Sequence, residues 1–232
     1  MRVAGVVQAR MGSTRLAGKV MKPLAGAPLL QRLLERVGRS RRLDTLVVAT
    51  SDRTRDDAVA ALCGDMAVAC FRGSEDDVLG RVLGAAESVD ADIVVRLTAD
   101  NPMVGADLVD YVLERFLPDV PPLVYAQNAD DSGFPYGLFV EAITIGALRA
   151  ADASRDPMDR EHVTYFVRTR PDRFPSLLVT APGRFGQDSV SVDTPEEYEK
   201  VKSLFEDLYA RTPDFGFRDM MAADRSGERC AP

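Results

Sequence analysis

Apolar and polar positions alternate along this chain in two rhythms, short continuous apolar runs and longer stretches of helical period. Val3–Gln8, Leu46–Thr50, Met66–Phe71 and Ile93–Thr98 are runs short enough for buried strands. Between them lie helical patterns. One uses Leu29, Leu30, Leu33, Leu34 and Val37; a second starts at Asp56-Asp57 and continues through Val59, Ala60 and Leu62. A third carries Val78, Leu79, Val82, Leu83 and Ala86 behind a turn and cap at Gly73–Asp77, and a fourth covers Leu108–Leu113. Strands alternating with helices in this way predict α/β layering with right-handed crossovers. After residue 120 the rhythm breaks. Val124–Asn128, Phe174–Thr180 and Ser189–Val192 read as strands, and a polar loop from Asp130 to Gly137 precedes Leu138–Ile143, with Gly183 and Gly186 between the last two strands. Thr194, Pro195 and Glu197 form an N-cap, N1 and N3 signature for a helix using Tyr198, Val201, Leu204, Phe205 and Leu208. Periodicity is weak from Thr212 to Pro232, where the chain is expected to fray. The organisation expected is one domain over residues 1–210, containing an acceptor-side subregion at about 124–180, and a tail over 211–232.

Length and charge narrow the class. At 232 residues and 25.3 kDa the chain can bury one sizeable core. A net charge of -7 argues against a nucleic-acid coat or a membrane-surface binder, while permitting a local basic pocket. No stretch approaches the roughly 20 apolar residues of a membrane span, and no signal-peptide pattern is read at the start. Cys63, Cys70 and Cys230 lack CxxC spacing and His162 is the single histidine. A zinc site is therefore not expected, and a reducing cytoplasm is.

The chemistry gathers where the first strand ends. Residues 9–20 read Ala-Arg-Met-Gly-Ser-Thr-Arg-Leu-Ala-Gly-Lys-Val, threading Arg10, Arg15 and Lys19 through a loop softened by Gly12 and Gly18. Cations on a glycine-containing loop at a strand's carboxyl end suit a polyphosphate. The loop is not a P-loop: five residues separate Gly12 from Gly18, and Val20 follows Lys19 where Ser or Thr would stand. A solvated surface loop is the plain alternative. Asp100 follows the strand Ile93–Thr98, and ligands of open α/β sheets lie outside the carboxyl ends of the strands. It would face the same crevice, where a carboxylate opposite phosphate-binding cations suggests a Mg²⁺ bridge. Its alternative is an N-cap for the following helix, although Asp107 is better placed for that. Asp193, left free by Thr194, is a second candidate carboxylate. His162 could be a base or a structural histidine.

Five ordered blocks together carry a resemblance. They are Val7–Val20, Phe71–Arg81, Arg96–Asp100, Arg160–Thr164 and Val192–Pro195. Over roughly residues 3–205 the chain resembles the cytidylyltransferases, in the spore-coat-polysaccharide (SpsF-like) branch related to CMP-Kdo synthetase. The resemblance implies a three-layer αβα nucleotide-diphospho-sugar transferase fold (GT-A-like), with a predominantly parallel mixed sheet and a small projecting β element. It implies CMP transfer from CTP to an anionic sugar or sugar-like acceptor, with pyrophosphate released, Mg²⁺ as cofactor and a homodimer in the cytoplasm.

Carried onto this sequence, the loop containing Ala9, Arg10, Met11, Gly12, Ser13, Arg15 and Lys19 would wrap the triphosphate. Arg10, Arg15, Lys19 and Asp100 would be catalytic, with Asp100 and Asp193 holding the metal. Arg72, Gly73, Ser74, Asp77 and Arg81 would line the base and ribose side, and Tyr136, Glu141, Arg160 and His162 the acceptor side. Related chains tend to read Tyr-Pro-Arg-Gly-Leu-Asp-Val-Glu where this one has Phe134–Glu141, so Tyr136 replaces an arginine and Phe139 an aspartate. Asn101 stands in place of a cysteine and Tyr165 in place of a proline. These departures open the acceptor: a phosphate or phosphonate acceptor, another nucleoside triphosphate, or a non-catalytic nucleotide-binding subunit are the alternatives.

Overall fold

The computed structural model describes residues 1–129, 131–185 and 189–225. Asp130, Gly186 and Cys230, singled out above, lie outside the described residues, as does the tail beyond Arg225. The strands are β1 (Val3–Gln8), β2 (Pro23–Leu24), β3 (Ala27–Pro28), β4 (Thr45–Ser51), β5 (Ala69–Gly73), β6 (Ile93–Thr98), β7 (Tyr125–Gln127), β8 (Glu141–Thr144) and β9 (Ser176–Leu178). The helices are α1 (Leu29–Val37), α2 (Asp57–Asp65), α3 (Val78–Glu87), α4 (Ala106–Phe116), α5 (Ile145–Asp152), α6 (Pro157–Glu161), α7 (Tyr165–Arg168), α8 (Pro195–Arg211) and α9 (Phe217–Arg225).

Seven strands form one sheet in the order β5-β4-β1-β6-β8-β7-β9. β1 pairs in parallel with both β4 and β6, and β4 with β5; β8 runs antiparallel to β6 and β7. Strand period explains the layering. Val3 and Val7 enter one core with α1, α4 and α8, while Ala4 and Val6 enter the other with α3 and α5. Because both faces are covered, the central strands read as unbroken apolar runs. The carboxyl ends of β1 and β6 are held level by the pairing of Gln8 with Thr98, which brings the loop after Gln8 beside Asp100.

The α/β class is as the resemblance implies, and three details differ. Tyr125–Gln127, Glu141–Thr144 and Ser176–Leu178 join the main sheet, and the separate small β element is the β2–β3 hairpin at residues 23–28. The strand expected over Met66–Phe71 starts at Ala69, because Ala67 takes a left-handed conformation (φ 54°) that ends α2, with Val68 N–H donating to the Cys63 carbonyl. Ser189–Val192 is not a strand; Val190 N–H donates to the Tyr136 carbonyl and Val192 N–H to that of Asp100. The expectation that the chain frays after Thr212 is also corrected as far as Arg225. Phe215 and Phe217 are fully buried, Phe217 packs edge-on to Tyr111 at 5.3 Å, and α9 follows. Two aromatic side chains so close in sequence supply the anchoring that weak periodicity concealed.

Candidate active site

The loop after β1 is fixed by a buried carboxylate. Asp56 is fully buried; its Oδ1 accepts the Met11 N–H at 2.6 Å and its Oδ2 accepts the Ser51 hydroxyl. Further along, Gly18 adopts φ 65° and donates its N–H to the Met11 carbonyl at 3.1 Å, closing the loop on itself. Lys19 then points inward from a short 3₁₀ turn. Its ammonium donates to Asp100 Oδ2 at 2.9 Å, Asp193 Oδ1 at 2.8 Å and the Val192 carbonyl at 2.9 Å. Arg15 reaches the other Asp193 oxygen at 3.1 Å. Burial alone would lower the Lys19 pKa, but the Asp100 and Asp193 carboxylates outweigh it and hold the amine above its ordinary value, so it stays an ammonium.

Around this cluster lies a cavity of about 280 Å³, walled by Gln8, Arg10, Gly12, Ser13, Thr14, Arg15, Lys19, Val20, Thr98, Ala99, Asp100 and Asp193. The structure thus brings together Arg10, Gly12, Ser13, Arg15, Lys19, Asp100 and Asp193. Asp100 does not cap α4: Gly105 occupies the N-cap, and Asp107 accepts the N–H groups of Leu108 and Phe217. Asp193 is freed as its neighbours suggest, since Thr194 and Glu197 form a complete capping box on α8.

The other candidate residues stand off the cavity wall. Ala9 is buried beneath the loop, and Met11 packs against the core. Arg72 bonds Asp57 at 2.7 Å and the carbonyls of Ser51 and Arg53, tying β5 to the start of α2. Gly73 ends β5, close against the Phe71 ring and the Arg81 stem. The Ser74 hydroxyl accepts the Asp77 N–H, and Asp77 caps α3 by accepting from Gly80 N–H at 2.9 Å. Arg81 is 1% exposed, holds the Ser74 and Glu75 carbonyls, and has Nε and one terminal nitrogen without a partner. Burial, then the charge of Arg10, lower its pKa, which places Arg81 within the field of the loop.

Of the residues expected toward the acceptor, Arg160 is clamped between Asp77 and Asp152 and does not wall the cavity. His162 is exposed at the end of α6. Glu141 is removed from the cavity as well. Its oxygens are taken by Arg96, by the Tyr125 hydroxyl at 2.5 Å and by the Thr164 hydroxyl at 2.6 Å. Tyr136 differs. It is 58% exposed and packs edge-on to Phe139 at 4.7 Å. Burial of part of its ring, then the charges of Asp193 and Asp100, raise its phenol pKa, which places the ring within the field of the acidic pair although it does not wall the cavity.

The profile of the cytidylyltransferase family matches residues 4–221. The chain belongs to the cytidylyltransferase family. Among relatives, it is 36% identical over 226 residues to the spore coat polysaccharide biosynthesis protein SpsF of Bacillus subtilis (strain 168), covering 93% of this chain and 91% of that one. The structure of a cytidylyltransferase from Leptospira borgpetersenii serovar Hardjo-bovis superposes with a TM-score of 0.90 at 30% identity, over 98% of this chain and 95% of that one. A CMP:2-keto-3-deoxy-manno-octonic acid synthetase complexed with CTP shares the fold, with a TM-score of 0.66 at 20% identity, over 89% of this chain and 99% of that one. As a cytidylyltransferase the protein is an enzyme of the nucleotidyltransferase class.

In this cytidylyltransferase the polar residues Gln8, Thr14, Thr98 and Asp56 were not marked as part of the site by the sequence. Gln8 and Thr98 face the cavity from the last positions of β1 and β6, and their polar character at the end of apolar strands was the available signal. Asp56 gave no signal beyond starting a helix pattern, because its partner at Met11 comes from another part of the chain.

Proposed function

We propose that this enzyme transfers CMP from CTP to an anionic sugar or sugar-like acceptor in a Mg²⁺-dependent reaction that releases pyrophosphate. The observation that most supports this reading is the cradle of Asp100, Asp193 and the Val192 carbonyl around the Lys19 ammonium, beneath a loop carrying Arg10 and Arg15. Three oxygens already gathered about one cation form a donor set suited to a hard metal ion. Among the described residues no group of three or more His, Cys, Asp or Glu side chains gathers to hold a metal. Two carboxylates nevertheless fit Mg²⁺, which is commonly held by one or two carboxylates with substrate phosphates and water. Asp100 and Asp193 would hold it, and the chemistry it supplies there is neutralisation of charge on the phosphoryl oxygens.

The side chains perform the rest. Arg10 and Arg15 bind triphosphate oxygens and, with the nearby Lys19 ammonium whose three N–H donors are held by Asp100, Asp193 and the Val192 carbonyl, stabilise the charge that builds as the acceptor oxygen bonds to the α-phosphorus and the bond to the β-phosphoryl oxygen breaks. Gly12 lets the backbone approach the phosphates. An acceptor carboxylate is ionised at neutral pH and needs no general base, which agrees with a cavity wall free of histidine. Tyr136, within the field of the acidic pair, would meet the acceptor, and the block from Arg72 to Arg81 would border the base and ribose. A homodimer in the cytoplasm belongs to the same reading, supported by the family resemblance and by cysteines without paired spacing.

The test is pyrophosphate release with Mg²⁺, scanning the four ribonucleoside triphosphates against sugar acids, sugar phosphates and phosphonates. Release with CTP and a sugar acid is expected, and Asp100→Asn should lower turnover by about two orders of magnitude or more. Wild-type turnover in that variant would remove Asp100 from the reaction. Release only with another triphosphate would overturn the choice of CTP.

A further inference from the structure

A buried chain of polar groups runs away from the cavity floor, and its direction fixes the orientation of the residue at its end. Gln8 closes β1 and walls the cavity. Its Oε1 accepts a hydrogen bond from the Arg96 guanidinium at 3.1 Å. Arg96 in turn pairs with Glu141, and Glu141 accepts from the hydroxyls of Tyr125 at 2.5 Å and Thr164 at 2.6 Å. The Arg96 and Glu141 side chains are only 16% and 12% exposed, so water competes little for these bonds. Burial would raise the Glu141 pKa, but Arg96 and the two hydroxyls hold it below its ordinary value, keeping the anion that anchors the guanidinium.

A guanidinium has donors and no acceptor, so the Gln8 atom facing it must be the oxygen. Which end of a glutamine amide is oxygen is decided by its hydrogen-bond network, and here a fixed cation decides it. The amide N–H₂ is consequently left for the cavity, whose remaining polar walls are cationic side chains, hydroxyls and the carboxylates Asp100 and Asp193.

We propose that Gln8 is a substrate-binding residue locked as a hydrogen-bond donor by the Arg96–Glu141 pair, and that it binds an oxygen of the nucleotide. The proposal rests on the nucleotide reading of the cavity. Arg96 and Glu141 are positioning residues that act through Gln8, which gives Glu141 a role without contact to the acceptor. The oxygen is either a carbonyl of the base or a phosphoryl oxygen; both present the same acceptor chemistry.

The experiment is calorimetric titration of the full chain with CTP and, separately, with tripolyphosphate, each with Mg²⁺. Gln8→Glu keeps the size and the bond to Arg96 while removing the N–H donors. It should weaken CTP binding by at least about tenfold with an unchanged melting temperature. Gln8→Met, which removes the donors without adding a charge, separates the two sources: tripolyphosphate weakened in parallel with CTP in this variant assigns the oxygen to a phosphoryl group, and tripolyphosphate unaffected assigns it to the base. Arg96→Met, which frees the amide to turn, should weaken CTP as well, and Arg96→Lys, which retains a donor toward Gln8, should restore most of the affinity. CTP binding by Gln8→Glu within twofold of wild type would overturn this inference alone. A wild-type protein that binds neither probe would overturn the nucleotide reading, and this inference with it.

Discussion

The Lys19 ammonium lies 2.8 Å from Asp193 Oδ1, joining the loop after the first strand to the start of the last long helix. With its second bond to Asp100, Lys19 is the counterion that lets two carboxylates share one small space. Its replacement therefore reports on both folding and binding. Lys19→Ala should cost roughly 1–3 kcal/mol of stability by leaving the two carboxylates facing each other. Mg²⁺ should restore part of that loss by binding only the folded protein. Urea denaturation with and without Mg²⁺ measures this, and the KM for CTP should rise more than that for the acceptor.

Asp56 anchors the same loop from beneath. Asp56→Ala orphans the Met11 N–H and the Ser51 hydroxyl. The expected cost is about 1–3 kcal/mol, with weaker CTP binding because the loop loses its fixed course. Limited proteolysis should show faster cleavage within residues 9–19. Unchanged cleavage and an unchanged KM would mean that Gly18 and Lys19 set the loop without it.

Glu141 makes stability depend on acidity in one direction. Its folded pKa lies below the usual value of 4.5, because Arg96 and two hydroxyls outweigh burial. A depressed carboxyl contributes stability above its unfolded pKa and loses it as pH falls through the folded value. Wild-type urea midpoints should therefore drop on going from pH 5 toward pH 3 by more than those of Glu141→Gln. At pH 7 that variant should be destabilised by roughly 3–5 kcal/mol, because Arg96 stays buried without its anion.

Phe215 and Phe217, just after Thr212, are part of the core. Phe217→Ala should cost about 3–5 kcal/mol, the usual range for a buried phenylalanine. For a chain of this size that corresponds to a fall in melting temperature of about 10 °C. A shift below about 2 °C in a thermal scan would show that Tyr111 and Phe134 repack without it.

These cases also show which features the sequence makes legible. Val3–Gln8 and Ile93–Thr98 are readable to the residue, because strands buried on both faces leave continuous apolar runs that end where the site begins. The Thr194–Pro195–Glu197 cap is equally plain, since capping chemistry is local. Arg10, Lys19, Asp100 and Asp193 are legible as charges at strand ends. The occupation of Lys19 by both carboxylates is not, because it depends on Val192 and Asp100 being paired through space. Glu141 illustrates the limit. A carboxylate in a motif looks available for a ligand until the structure shows three side chains already holding it.

Gly137 adopts φ 99°, and a Cβ there would collide with the backbone of Val190 and Ser191, two residues before Asp193. Together with the bond from Val190 N–H to the Tyr136 carbonyl, this welds residues 136 and 137 to the segment that leads to Asp193 in the cavity wall. The consequence is evolutionary. A lineage that alters the backbone at residues 136 and 137 also moves the Asp193 carboxylate. Tolerated changes at position 136 are then side-chain swaps on an unchanged backbone.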